Sequence, residues 1–274
     1  MQRIHYVAGL PRSGSTLLQN LLGQRPEHHV TPTSGLVDLV GVVRDGWPKN
    51  PSMRAQGLEA MRPRIERGLR GLIEGYYAPE LAAGQIVWDK SRGWPQYLEV
   101  LDAAFGEPQR IVLVMRDVRA VCASFEKLHR KNPMLRHGIG GDSFAAAQTT
   151  AGRAKLLLAP GGVVGIAVSR VRDLMQRGLG DRAVIVPYRH LVRGPQEILA
   201  ALHDALGLPR FLYDPANVAQ ITHEDDDLHG WGDLHTIRAY VEPEGDAVPW
   251  QGVLPDELCK WIADEYADIN ELAR

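Results

Sequence analysis

At 274 residues and 45% hydrophobic content, the chain is long enough to bury a core of its own and reads as one large domain. Lys and Arg number 31 against 33 Asp and Glu, a formal net charge of -2. That balance gives no general reason to expect nucleic acid or an anionic membrane as a partner. The two cysteines, Cys122 and Cys259, are far apart and lack metal-ligand spacing, as in reduced, buried thiols of a cytosolic protein. No run of about 18 apolar residues is present, so no transmembrane span is expected. Residue 1 leads almost directly into the first strand, which leaves no room for a signal peptide and agrees with a cytoplasmic location.

Gln2 to Ala8 read as a strand, with Ile4, Tyr6 and Ala8 on one face and His5 and Val7 on the other. Gly9 to Gly14 form a turn. Ser15 to Leu22 read as a helix with Leu17, Leu18, Leu21 and Leu22 inward. Ser34 is placed to cap a following helix whose first turn holds Asp38. Asn50 to Glu80, rich in Arg and Glu, read as a surface helix pair. Strands are predicted at Gln85–Trp88, Arg110–Met115 and Ala183–Pro187. The helices that follow them span about Pro95–Ala104, Val118–Lys131 and Pro195–Leu206. Asn132 to Gly180 begin with glycines and charges, His137-Gly138-Ile139-Gly140-Gly141, and then turn helical; the first part reads as a lid. His223 to Gly232, with its run Glu224 to Asp227, reads as an exposed, solvated loop. The last helix covers about Pro255 to Ala273.

Short apolar strands alternating with helices predict an α/β fold. It is a single domain, residues 1–274, with a central, mostly parallel sheet flanked by helices. Ligands of such sheets bind beyond the C-terminal ends of the strands. The polar clusters that carry chemistry follow predicted strands.

The first cluster is Gly9-Leu10-Pro11-Arg12-Ser13-Gly14-Ser15-Thr16. A strand, a glycine turn and a helix N-terminus offer free backbone N–H groups and a helix dipole to an anion. The nucleoside-triphosphate version, G-x-x-x-x-G-K-[ST], uses its lysine on the β/γ-phosphates and its hydroxyl on magnesium. Here Gly9 and Gly14 keep the spacing, Ser15 stands in the lysine slot, and Arg12 is the loop's cation. The loop suits a shorter anion, such as a phosphosulfate, better than a metal-bridged triphosphate. The second cluster is Arg110-Ile111-Val112-Leu113-Val114-Met115-Arg116 and the helix after it. That helix buries Val118, Val121, Cys122, Phe125 and Leu128 at helical spacing and carries Ser124 on the border of the stripe. Arg116 can grip a phosphate bidentately, with Ser124 adding a hydroxyl; it can equally pair with Asp117 at the helix start.

Together GLPRSGSTLL and RIVLVMRDVRAVCASF resemble the superfamily of sulfotransferases that use 3′-phosphoadenosine 5′-phosphosulfate (PAPS). The first stretch is similar to its 5′-phosphosulfate loop and the second to its 3′-phosphate motif. Val184-Ile185-Val186-Pro187-Tyr188 and Trp88-Asp89-Lys90-Ser91 are weaker matches. The resemblance, over residues 3 to about 208, implies a P-loop-like nucleotide fold that transfers a sulfuryl group from PAPS to a hydroxyl or amine. Adenosine 3′,5′-bisphosphate (PAP) is the product, and no metal is needed. It implies that Ser13, Gly14, Ser15 and Thr16 hold the 5′-phosphate through backbone N–H groups, and that Arg12 and Lys90 balance charge on the transferring group. It also implies that Arg116 and Ser124 hold the 3′-phosphate, that Tyr188 lies near the adenine, and that a late basic residue, Arg238, closes the site. Arg189 departs from the acid that relatives carry after the tyrosine.

The general base is where the sequence departs most. Relatives place a glutamate a short way after the first helix, or a histidine two residues beyond the strand-two lysine. Here the first region holds threonine, proline and serine, and the second position is Arg92. Asp38 is the nearest carboxylate, and equally a helix N-terminal acid favoured by the dipole; His28 and His29 are alternatives. The acceptor, a small molecule or a peptide, is left open. The other readings are a P-loop small-molecule kinase and a nucleotide-binding module without chemistry.

Overall fold

The computed structural model describes residues 3–131, 144–229, 232–243 and 248–274; the glycine-rich part of the expected lid, 137–141, lies outside them. The first strand, β1 (Ile4–Gly9), is buried along its whole length. Ile4, Tyr6 and Ala8 enter one core and Val7 the other, the alternation that the pleat imposes. After α1 (Ser15–Leu22) comes a strand the sequence did not signal, β2 (His28–Thr33). Its two histidines, two threonines and Pro32 hide it. Proline is tolerated there because β2 is an edge strand, and the register slips between Val30 and Thr33.

Gly35, not Ser34, is the N-cap of α2 (Leu36–Gly46); Ser34 Oγ instead accepts the Leu36 N–H at 3.0 Å. The expected surface helix pair is three helices: α3 (Pro51–Gln56), α4 (Leu58–Tyr76) and α5 (Ala78–Ala82). The Arg and Glu residues of α4 conceal an inward stripe at every fourth residue, in which Met61, Leu69 and Ile73 are buried and Ile65 partly so.

The strand β3 (Ile86–Lys90) runs past Trp88, so Asp89 and Lys90 face opposite sides of the sheet. A 3-10 turn, Trp94–Tyr97, takes the first turn expected of the next helix, α6 (Leu98–Phe105). The next pair, β4 (Ile111–Met115) and α7 (Val118–Lys131), matches expectation. Three helices follow: α8 (Phe144–Ala147), α9 (Thr150–Leu158) and α10 (Val163–Gln176). Thr150–Gln176 contains an 18-residue stretch as apolar as a membrane span, with a mean hydropathy of 1.5. It is broken between α9 and α10, and its apolar side, including Leu157, Val164, Val168 and Leu174, lies in the core. The pattern closes with β5 (Ala183–Pro187), α11 (Tyr188–Arg193) and α12 (Pro195–Leu206).

The expected final helix is two, α13 (Asp256–Glu265) and α14 (Ala267–Glu271). The chain turns at Tyr266, which is buried and directs its hydroxyl to the Leu158 carbonyl. The turn lets Asn270 Oδ1 accept the Val118 N–H at 2.9 Å, satisfying an orphan donor at the start of α7.

The five strands are all parallel, in the order β2-β3-β1-β4-β5. Helices cover both faces and enclose two apolar clusters. The carboxyl ends of β1, β3, β4 and β5 therefore emerge at one edge.

Candidate functional site

That edge opens into a cavity of about 870 Å³ lined by the β1–α1 turn, Lys90 to Arg92, Arg116, Tyr188 and residues between 228 and 243. The turn requires its glycines. Gly9 has φ +141°, and a Cβ there would lie 2.1 Å from the Val114 carbonyl oxygen. Gly14 has φ +91°, and its Cβ would meet the Tyr188 ring at 2.4 Å. Arg12 adopts φ +58°, the single non-glycine residue with positive φ among the described residues. Left-handed backbone on a side-chain-bearing residue is a strain that surrounding structure must hold.

The N–H groups of Gly14, Ser15, Thr16 and Leu17 have no acceptor among the described residues, so four donors face the cavity from the N-terminus of α1. Ser13 departs from expectation. Its N–H closes the turn on the Leu10 carbonyl at 3.3 Å, its Oγ donates to the same oxygen at 2.6 Å, and its side chain is fully buried. It shapes the loop and its N–H is already committed.

The two sequence clusters meet here. Arg12 Nε donates to Ser124 Oγ at 3.1 Å, and Arg12 Nη1 donates to the Leu234 carbonyl. Arg116 Nη1 donates to the Arg12 carbonyl at 3.1 Å. Asp117 instead accepts from one edge of the Arg119 guanidinium, from Nε at 2.9 Å and from Nη2 at 2.6 Å. Burial, and then the neighbouring Arg116 charge, lower the proton affinity of Arg12, so an anion between the two guanidinium groups relieves their repulsion. Arg238 lies at the rim, exposed and paired with Glu242.

Lys90 carries the largest revision. Its Nζ is 2.9 Å from Glu224 Oε1 and 3.4 Å from Thr16 Oγ1, and the Lys90 and Glu224 side chains are only 6% and 10% exposed. The run Glu224 to Asp227 is thus not simply a solvated loop. Asn20 on α1 pins its approach, accepting the Ile221 and Thr222 N–H groups at 2.6 and 3.1 Å and donating to Thr222 Oγ1 at 2.9 Å. Glu224 Oε1 then accepts the N–H and hydroxyl of Thr33, at 2.8 and 2.9 Å. His235 places Nε2 at 3.5 Å from Glu224 Oε2 and Nδ1 at 2.5 Å from Asp226 Oδ1. Burial raises the Glu224 carboxyl, but Lys90, the Thr33 N–H and His235 outweigh it and hold it near 2. Burial also lowers Lys90, partly offset by Glu224, and lowers His235, with Lys90 adding to the effect.

The structure thus brings Arg12, Gly14, Ser15, Thr16, Lys90, Arg116, Ser124 and Tyr188 together. Asp38 is exposed on the first turn of α2 and is not among the cavity residues. His28 begins β2, at the opposite end of the sheet from Lys90. It is buried, bonded to the Leu22 carbonyl and held near 4 by burial. His29 lies 3.9 Å from Glu80. Sequence reasoning missed Glu224, Asp226 and His235 as site residues. No local signal marks them, because Glu224 and Lys90 are separated by 134 positions. Among the described residues no group of three or more His, Cys, Asp or Glu is arranged to hold a metal ion.

Comparison with known proteins identifies the family and the fold. Residues 6–213 match the profile of the Sulfotransferase family. The nodulation protein NoeE of Sinorhizobium fredii is 24% identical over 95% of this chain, which spans 63% of that protein's length. Among solved structures, a sulfotransferase from Alicyclobacillus acidocaldarius superposes with a TM-score of 0.53 at 14% identity, covering 100% of this chain and 96% of that one. The sulfotransferase domain from the curacin biosynthetic pathway gives 0.50 at 16% identity, covering 97% and 98%.

Proposed function

The chain belongs to the Sulfotransferase family, and we propose that it transfers a sulfuryl group from PAPS to a hydroxyl or amine of a small-molecule or peptide acceptor, acting in the cytoplasm. The observation that carries this reading is the Arg12–Ser124 hydrogen bond, 3.1 Å across 112 positions. It joins the anion loop of α1 to the arginine–serine cluster of β4 and α7, so one cavity serves an anion at each end. A donor with separate 5′ and 3′ anionic groups needs that layout.

The roles follow from the chemistry of the side chains. Gly14 to Leu17 offer N–H donors to the 5′-phosphate, favoured by the helix dipole. Arg116 and Ser124 hold the 3′-phosphate, and Tyr188 offers a flat face to the base. Arg12 and Lys90 balance charge that grows as the sulfur–oxygen bond breaks. As in phosphoryl transfer, positioning and charge stabilisation supply most of the catalysis. The countercharge comes from side chains, so the scheme uses no metal. A kinase acting on a triphosphate wants a lysine at Ser15.

The test is a melting experiment in EDTA. PAP is expected to raise the melting temperature, because a ligand bound to the native state stabilises it by mass action. A shift with ATP–magnesium and none with PAP sinks the assignment and favours the kinase. PAP binding with no transfer from PAPS to any extract component leaves a binding module.

A further inference from the structure

We propose that Glu224, delivered by the C-terminal segment, is the general base that takes the acceptor's proton, and that the acceptor is a hydroxyl compound. This rests on the sulfotransferase reading. The end of β2 lacks a carboxylate of its own, and Thr33 stands there. Glu224 arrives from 191 positions later and is held by the Thr33 N–H and hydroxyl at 2.8 and 2.9 Å. The same oxygen is 2.9 Å from Lys90 Nζ. The three residues that hold it, Thr33, Lys90 and His235, all line the cavity.

The placement is built. Asn20 fixes Ile221 and Thr222 to α1, two residues before the carboxylate. Asp226 holds His235 by its ring and by its backbone N–H, at 2.5 and 2.8 Å, and that ring backs the second carboxylate oxygen. The groups that set its charge are Lys90 on β3, the Thr33 N–H on β2, and His235. In the resting protein Lys90 holds Glu224 ionised and weakly basic. Burial alone acts in the opposite direction. When Lys90 turns to the oxygens of the transferring group, the carboxylate loses its nearest countercharge while its burial persists. Its proton affinity then rises as the donor is engaged.

In the step itself the acceptor oxygen forms a bond to sulfur as the bond from sulfur to the bridging phosphate oxygen breaks. That bond's electron pair stays on PAP, and the acceptor proton passes to Glu224. An amine attacks with its own lone pair and sheds its proton afterwards, so a carboxylate fixed at the point of transfer serves an alcohol or phenol.

The experiment uses the full chain, ³⁵S-labelled PAPS, and ethanol, phenol, water and benzylamine as acceptors. The expected result is transfer to oxygen by the wild type. Glu224→Gln is expected to lose about 10²–10⁴-fold in turnover, with the PAP melting shift retained and the acid limb of the pH–rate profile gone. Glu224→Asp is expected to restore part of the loss. Wild-type turnover in Glu224→Gln overturns the proposal. So does faster turnover with tighter PAPS binding, which would make the carboxylate a plug displaced by the donor. Loss of the PAP shift in Glu224→Gln, transfer to the amine alone, or no transfer to any of the four also overturns it. Failure of the sulfotransferase reading is separate: the wild type then shows no PAP shift, or shows one and transfers sulfuryl to no component of an extract.

Discussion

The Arg116 guanidinium lies over the Tyr188 ring, its central carbon 4.0 Å from the ring centroid. One side chain thus ties the β4–α7 turn to the start of α11, and its Nη1 reaches the Arg12 carbonyl at 3.1 Å. On the proposed roles, removing it takes away a 3′-phosphate ligand and the plate that orients the tyrosine. A charged hydrogen-bond pair is worth about 1.5–3 kcal/mol, so Arg116→Ala is expected to weaken PAP by roughly 10- to 150-fold. Turnover at saturating donor changes less, because the 3′-phosphate is remote from the breaking bond. Arg116→Lys recovers little, since an ammonium has neither the flat face nor the fork. Calorimetric titration with PAP checks this. Unchanged affinity in a folded Arg116→Ala removes the residue from the site.

Lys90 has two effects that a double variant separates. In the proposed reaction it serves charge that develops during transfer, so Lys90→Met is expected to lose about 10²–10³-fold in turnover. It also neutralises a carboxylate that is only 10% exposed. Breaking a buried pair from one side costs about 3–5 kcal/mol, read as a lower urea midpoint. Adding Glu224→Gln to Lys90→Met should return most of the stability and none of the activity. If the double variant is no more stable than Lys90→Met, the pair is not the source of the loss.

The two turn glycines differ in what blocks a side chain. At Gly9 a Cβ meets backbone, the Val114 carbonyl oxygen at 2.1 Å, which belongs to a central strand and cannot yield. At Gly14 it meets the Tyr188 ring at 2.4 Å, which can tilt. Gly14→Ala then bears chiefly the left-handed backbone cost, about 1–2 kcal/mol, plus weaker PAP binding from the displaced ring. Gly9→Ala is expected to cost clearly more and to yield little folded protein. Equal denaturation midpoints for the two variants count against this ranking.

Acid should destabilise the fold well above the carboxylate range. Burial holds His5 near 3 and His28 near 4, against 6.5 for a free imidazole, and neither ring nitrogen of His5 has a hydrogen-bond partner among the described residues. Because these folded-state values lie below the unfolded one, the unfolded chain takes up protons first. Stability is complete above about pH 6.5. It falls as pH drops toward 4 and 3, by up to about 1.4 kcal/mol per pH unit for each imidazole. Glu224, held near 2, adds to the loss only below its unfolded value of about 4.3. Urea midpoints at pH 7, 6 and 5 measure the slope, and His28→Gln should reduce it. A flat profile between pH 7 and 5 refutes the assignment.

The parallel α/β sheet, the glycine loop between β1 and α1, and the arginine after β4 with the serine of α7 are legible in the sequence alone. Those features are short-range. Strand alternation, helical spacing and positive-φ glycines are imposed within a few residues of one another, so local pattern carries them. β2 escaped because Pro32 and two histidines are acceptable on an edge strand, and edge position is a property of the sheet. The break at Tyr266 escaped because it follows from docking against Leu158 and Val118. The proposed base shows the division most clearly. Asp38 was the nearest carboxylate along the chain, yet α2 turns it to solvent, while Glu224 reaches Lys90 from across the fold. Four consecutive acids read the same whether water or a lysine neutralises them. Only the topology, which brings α1, the end of β2 and the C-terminal segment to one edge, decides that Glu224 loses its water and gains Lys90.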